Sequence, residues 1–381
     1  MHRLFTCILS LVCFFAITSC SSDDPEPDIP QTANKTVFVF MPYTGDSNNL
    51  YSVLQTNLND MATAIAEDKG KSSANLLVFI SKDAQTSHLI DFKYKKGECV
   101  RDTLKTYTSA LYTTSEGIAS ILGDVKKYAP ARKYATIVGS HGEGWLPKYS
   151  TTRFFGGLKY QIDVADFAQG IASAGMKMQF VLFDDCYMSG IEVAYDLRNA
   201  SDWLIASTCE MMGYGMPYSK ILKYLIADTP DYASLCADFI NFYKSYPLPY
   251  GTIGATNLTH IDEMAAMMKN INATHQLRDG SLNNVQDLDG KHFEPTVYFD
   301  FGSYVKHLCA GDMASLAAFE SLLTELVPYK GNTDKAYNYI NSFSSYTWDL
   351  DDFSGLTISD PSENTIVEET KEQTAWWKAT H

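Results

Sequence analysis

Two short stretches of the chain carry the residue types of thiol chemistry. Gly139-Ser140-His141-Gly142-Glu143-Gly144-Trp145 sets an imidazole among glycines, and Asp184-Asp185-Cys186 sets a thiol behind two acids. A thiol attacks carbonyl carbon only as the thiolate, and at an ordinary pKa of ~8.5 few molecules are ionised at neutral pH. A base must therefore stand close, which makes Cys186 the candidate nucleophile and His141 its acid/base partner. The glycines around His141 let a substrate backbone approach, and the amide of Gly142 can join that of Cys186 as an oxyanion hole, a feature typically worth ~3 kcal/mol. Met188, Ile191, Ala194, Tyr195 and Leu197 share one helical face and predict a helix starting just after Cys186. Its N-terminal dipole would favour the anion by ~0.3–1 kcal/mol. Asp184 and Asp185 push the other way, because neighbouring carboxylates disfavour a second negative charge. The expected thiol is not strongly activated at rest and depends on His141 at the moment of reaction.

The elements that must position these groups are legible as alternating strand and helix signals. Val37–Met41, Asn75–Ile80, Tyr134–Val138, Met178–Phe183 and Trp203–Ala206 are short apolar runs of the kind buried on both faces of a central parallel sheet. Leu50, Val53, Leu54, Leu58, Met61, Ala62 and Ile65 recur at three and four, as an amphipathic helix requires, and further helices are predicted over 116–127 and 164–174. The order implies a doubly wound α/β sandwich with a mostly parallel sheet, in which ligands bind beyond the carboxyl ends of the strands. His141, Cys186 and the Ser207-Thr208-Cys209-Glu210 stretch all follow such ends directly. After about residue 250 the pattern loosens into helical segments over 261–271 and 313–327 and a short strand at 356–358. We divide the chain accordingly into 1–19, 20–35, a core over 36–255 and a C-terminal subdomain over 256–381.

The 381 residues are 45% apolar and 20% charged, ample for a full core, and the net charge of −15 opposes binding to nucleic acid phosphates. An acidic surface also attracts cationic substrates, although solubility is the commoner reason for such a charge. Arg3 and the apolar run Leu4–Ile17 form an export segment too short for a bilayer span, followed by Ile17-Thr18-Ser19-Cys20. That tetrapeptide resembles a bacterial lipobox, which implies lipidation of Cys20; an ordinary secretory signal cleaved elsewhere is the alternative. Residues 21–30 are acidic and rich in Pro, an extended tether. They resemble the surface-export signal of lipoproteins in Bacteroidetes-type bacteria, which implies an outer-membrane, surface-exposed protein held by its lipid. Cys99, Cys186, Cys209, Cys236 and Cys309 remain, an odd number without close pairs, so neither a disulfide framework nor a zinc site is indicated.

A strand ending in His-Gly followed by one ending in Asp-x-Cys resembles the clan of caspases, legumain, gingipains and clostripain. The flanking residues are most similar to clostripain peptidases: 140–145, 183–188, Glu192-Val193-Ala194-Tyr195-Asp196-Leu197-Arg198, 206–210 and Gly215-Met216-Pro217-Tyr218. The resemblance implies a caspase-like fold, a Cys/His dyad without an obligatory third member, and cleavage of peptides after Arg or Lys. It implies that Asp184 is the acid of the substrate pocket and places Glu210 where a second pocket acid is expected. Asp185 departs from the pattern, which usually has a small residue there. Several members cut themselves in the loop after His-Gly, where Lys148 and Arg153 lie here. Some relatives use calcium, and Asp349, Asp351 and Asp352 form an acidic loop, though without the spacing of an EF-hand. His260, His275, His292 and His307 show no ligand spacing and are read as surface or packing residues; Cys209 is read as structural. Two other functions stay open: a non-catalytic surface lipoprotein binding basic peptides in the same pocket, and a transpeptidase using the same thioester.

Overall fold

The computed structural model describes residues 32–42, 50–150, 155–156, 160–341 and 344–381. Cys20, the export segment and Arg153 lie outside these residues. In chain order the strands are β1 (Ala33–Met41), β2 (Asn75–Asp83), β3 (Thr86–Lys95), β4 (Glu98–Tyr107), β5 (Ala131–Val138), β6 (Met178–Phe183), β7 (Trp203–Ala206), β8 (Thr252–Asn257), β9 (Phe299–Asp300), β10 (Tyr329–Asn332), β11 (Lys335–Asn341), β12 (Ser344–Asp349) and β13 (Thr357–Ile358). The helices are α1 (Tyr51–Asp68), α2 (Ser115–Tyr128), α3 (Val164–Ser173), α4 (Ile191–Leu197), α5 (Tyr218–Ile226), α6 (Tyr232–Ser245), α7 (Ile261–Thr274), α8 (Phe301–Leu308), α9 (Met313–Leu326), α10 (Thr365–Thr370) and α11 (Ala375–Thr380).

A nine-stranded sheet in the order β10-β8-β7-β6-β5-β1-β2-β3-β4 runs through the centre. Its middle, β7-β6-β5-β1-β2, is parallel, and antiparallel strands close both flanks. Alternate side chains of one strand enter opposite cores, the consequence of a period of two. Phe38 and Phe40 join Ile121, Val125, Phe167 and Ile171 from α2 and α3, whereas Val37, Val39 and Met41 join Leu58, Met61, Leu225 and Phe239 from α1, α5 and α6. Helices therefore cover both faces, as the two-sided apolar strands require.

Local chemistry sets the element ends. Thr114 caps α2 by accepting the N–H of Gly117, with Glu116 in the first turn and Lys126 and Lys127 in the last, each complementing the helix dipole. The β3–β4 hairpin, which the apolar runs did not announce, closes on Lys96 and Gly97 at φ 52° and 99°, the left-handed pair that matches strand twist.

Residues Gln31–His381 form one compact unit. The region after residue 255, expected as a subdomain, lies within it and contributes β10, which pairs with β8 in the central sheet. Trp376 of α11 is fully buried with its ring against Tyr195 of α4 and Phe301 of α8. Among the described residues no helix is long and apolar enough to cross a membrane.

Candidate active site

The strand order reverses between β1 and β5, the switch point at which an open α/β sheet leaves a crevice beyond its carboxyl ends. A cavity of about 360 Å³ occupies it, lined by His141 after β5, by Asp184, Asp185 and Cys186 after β6, and by Glu210 after β7. The three expected strand ends thus converge on one space. Leu54, Met211, Leu248 and Tyr337 supply much of its apolar wall.

The loops after β5 and β6 are fastened to each other. Asp184 donates its N–H to Val138 O at 2.8 Å, and Asp185 Oδ1 accepts the N–H of Ser140 at 2.7 Å. Gly142 lies so close to the nucleophile loop that a Cβ there would overlap Cys186 O and stand 2.9 Å from Asp185 Cβ and 3.1 Å from Cys186 N. Only glycine fits there, and it packs the His141 loop directly against the backbone of Cys186. The loop after β6 is also laddered onto the loop after β7, through Tyr187 N–H to Cys209 O at 3.1 Å and Ser189 N–H to Ser207 O at 2.9 Å.

Those bonds correct the expected helix. The backbone of 187–190 is spent on neighbouring loops, Tyr187 sits at φ 59°, and α4 begins only at Ile191. A dipole effect confined to the first turn falls off over that interval. A donor at the sulfur is the N–H of Met211, 3.2 Å from Cys186 Sγ.

The two acids are also not the pair of charges expected beside the thiol. Asp185 is 1% exposed, and burial pushes its carboxyl well above the usual range, so it serves as a clamp on Ser140. Asp184 is raised to about 7 by burial, against the lowering effect of the Tyr218 hydroxyl at 2.9 Å and the Met216 N–H at 2.7 Å. It floors the cavity beneath Gly215, whose φ of 74° and missing Cβ leave room: a Cβ would lie 2.6 Å from Asp184 Oδ1.

Glu210 lines the same cavity and ties β11 to it, Oε2 accepting the N–H of Tyr339 at 3.0 Å. Lys148 lies elsewhere, ion-paired to Asp163 and Asp166 at 3.2 and 2.9 Å. Cys209 is buried, its thiol pushed up to about 12 by burial, and its carbonyl holds Tyr187. Asp349 pairs with Lys335 and Asp352 with Lys306, and among the described residues no group of three or more His, Cys, Asp or Glu could hold a metal ion. His260, His275 and His307 engage Glu263, Asp312 and the Ser303 carbonyl. His292, read as a surface or packing residue, packs on the Tyr187 ring and also meets Glu143 of the His141 loop at 2.8 Å. No sequence spacing could have joined residues so far apart in the chain.

A doubly wound sheet that brings a histidine and a cysteine to neighbouring strand ends over one cavity defines a cysteine peptidase of caspase-like fold. The clostripain family model matches residues 42–310, and the chain belongs to that family. It is similar to a secreted C11 cysteine protease of Bacteroides thetaiotaomicron, iotapain, at 40% identity and TM-score 0.86, over 92% of this chain and 100% of that one. It is also similar to an inactive zymogen C11 protease of Parabacteroides distasonis, at 26% identity and TM-score 0.81, over 93% and 99% of the two chains. A clostripain of B. thetaiotaomicron in complex with a peptide inhibitor shares 44% identity over 60% of this chain and 99% of that one, at TM-score 0.56. No curated protein sequence matches the chain.

Proposed function

We propose that this cysteine peptidase is an endopeptidase that cuts after Arg or Lys through a Cys186/His141 dyad. The observation that carries the reading is the buried Asp184 carboxyl flooring the cavity that His141 and Cys186 also line. A cationic side chain entering there meets a carboxylate out of bulk water, where a charge-assisted hydrogen bond is at its strongest. Glu210 at the same wall adds a second acid. The clostripain relative bound to the inhibitor BTN-VLTK-AOMK, whose peptide ends in Lys, supports the same preference.

In the proposed reaction Cys186 Sγ passes its proton to His141 and attacks the carbonyl carbon. The amides of Gly142 and Cys186 receive the oxyanion. As the C–N bond breaks, His141 gives that proton to the leaving amine, and a thioester remains. Water, deprotonated by His141, then attacks the thioester carbon, and the expelled sulfur recovers the proton. The full-length protein is expected to hydrolyse a fluorogenic peptide ending in Arg or Lys, and Cys186→Ala to abolish this. Activity surviving in Cys186→Ala sinks the mechanism; a wild-type chain that binds basic peptides without cleaving any favours the non-catalytic reading.

Two further parts of the reading concern maturation. Cys20 carries lipid and anchors the protein at the outer membrane, which labelling with a radioactive fatty acid should show and Cys20→Ala should remove. The chain cuts itself after Lys148 or Arg153, and cleavage after Lys148 requires its side chain first to leave Asp163 and Asp166. A Lys148→Ala, Arg153→Ala chain that still splits in this loop overturns that idea.

A further inference from the structure

A segment outside the two strand-end loops, 289–298, touches both of them. His292 and Tyr298 enclose the ring of Tyr187, the residue after the nucleophile, with centroids 5.1 and 5.3 Å away and planes within 15° and 14°. Tyr187 is fully buried at φ 59°, a left-handed backbone that a bulky residue keeps only when its surroundings hold it. The same two residues hold Glu143, two positions past His141. His292 Nε2–H donates to Glu143 Oε1 at 2.8 Å, and the Tyr298 hydroxyl donates to the Glu143 carbonyl at 2.6 Å. Asp289 fixes the segment from behind, its Oδ2 accepting the N–H groups of Val297 and Tyr298 at 2.6 and 3.1 Å.

Glu143 is 4% exposed, and its Oε2 has no hydrogen-bond partner among the described residues. A carboxylate removed from water is held in place only by a compensating donor, and stranding it costs more than removing the pair altogether. Here that donor is His292, and the carboxylate it holds lies one residue from the Gly142 amide.

We propose that His292 and Glu143 are positioning residues for peptide-bond cleavage: their pair, together with the ring stack on Tyr187, locks the His141 loop and the Cys186 loop in reacting register. The proposal rests on the assignment of Cys186 and His141 as the reacting pair. Neither His292 nor Glu143 touches the scissile bond.

His292→Phe keeps a ring against Tyr187 but strands the Glu143 carboxylate. Measured on the full-length protein with the basic fluorogenic peptide, it should lower kcat by about tenfold or more while KM stays within about twofold. Adding Glu143→Gln to that background removes the stranded charge and should recover part of the lost kcat, the pair itself being still absent. His292→Gln, which retains a donor, should stay within about threefold of wild type and serves if His292→Phe does not fold. Unchanged kcat in His292→Phe overturns the proposal, and so does a loss of about tenfold or more in a folded His292→Gln, which keeps the donor. So does a loss that appears equally in KM and melting temperature and that Glu143→Gln fails to recover, for that is the mark of a general packing role. Because every comparison is against an active wild type inactivated by Cys186→Ala, failure of the dyad assignment itself would be seen separately.

Discussion

At the scale of single residues, the informative group is Asp184. Its carboxyl is raised to about 7, first by burial, so near neutral pH it exchanges between an acid that cannot attract a cation and a carboxylate that can. As pH falls through about 7 the charged form is lost, and KM for Arg or Lys substrates should rise while kcat on bound substrate changes less. Asp184→Asn should flatten that profile and cost about a hundredfold in kcat/KM at higher pH, read from initial rates across a pH series. A KM that is independent of pH in the wild type counts against Asp184 as the specificity acid. The convergence of Cys186, His141 and Asp184 on one cavity was legible because each closely follows an apolar strand run. Asp185 was misread for a simple physical reason: adjacency in sequence says nothing about burial, and burial decides whether a carboxyl is a charge or a clamp.

At the scale of elements, the parallel strands were readable because a strand buried on both faces leaves an uninterrupted apolar run, as Val37–Met41 and Met178–Phe183 do. The β3–β4 hairpin was not, since its outer strand is largely exposed and mixes Arg101, Asp102 and Lys105 with Val100 and Leu104. Met188 shared the helical face of α4 in sequence, but its neighbours Tyr187 and Ser189 hydrogen-bond the loop after β7 and the helix starts only at Ile191. The contact between the two site loops is tight enough to test with one methyl group. Gly142→Ala must push against Cys186 O and Asp185 Cβ, so it should lower kcat by about a hundredfold or more with little change in circular dichroism. Near-normal turnover would mean that the two loops tolerate separation.

At the scale of the whole molecule, an unusual share of carboxyls is buried. Burial and then Asp360 raise Glu192 to about 8, and burial raises Asp360 to about 7. Each keeps a proton in the folded chain over a range where the unfolded chain, with carboxyl pKa values of about 4, has released it. Their contribution to stability is therefore greatest at low pH and is lost as pH rises toward about 8. The melting temperature should fall between about pH 6 and pH 8, and Glu192→Gln should lessen the fall, as scanning calorimetry can measure. A melting temperature rising over that interval would falsify this account. The C-terminal region was hard to place from sequence because its strand β10 is four residues long and earns its position only by pairing with β8.

Residues 147–163 are part of the connection, with α3 after them, between two strands that already lie side by side in the sheet, Val138 opposite Phe183. The covalent link between them is thus redundant once the chain has folded. A protease nick in that stretch would yield two polypeptides on a denaturing gel and a single particle on a native sizing column, with the histidine on one fragment and the cysteine on the other.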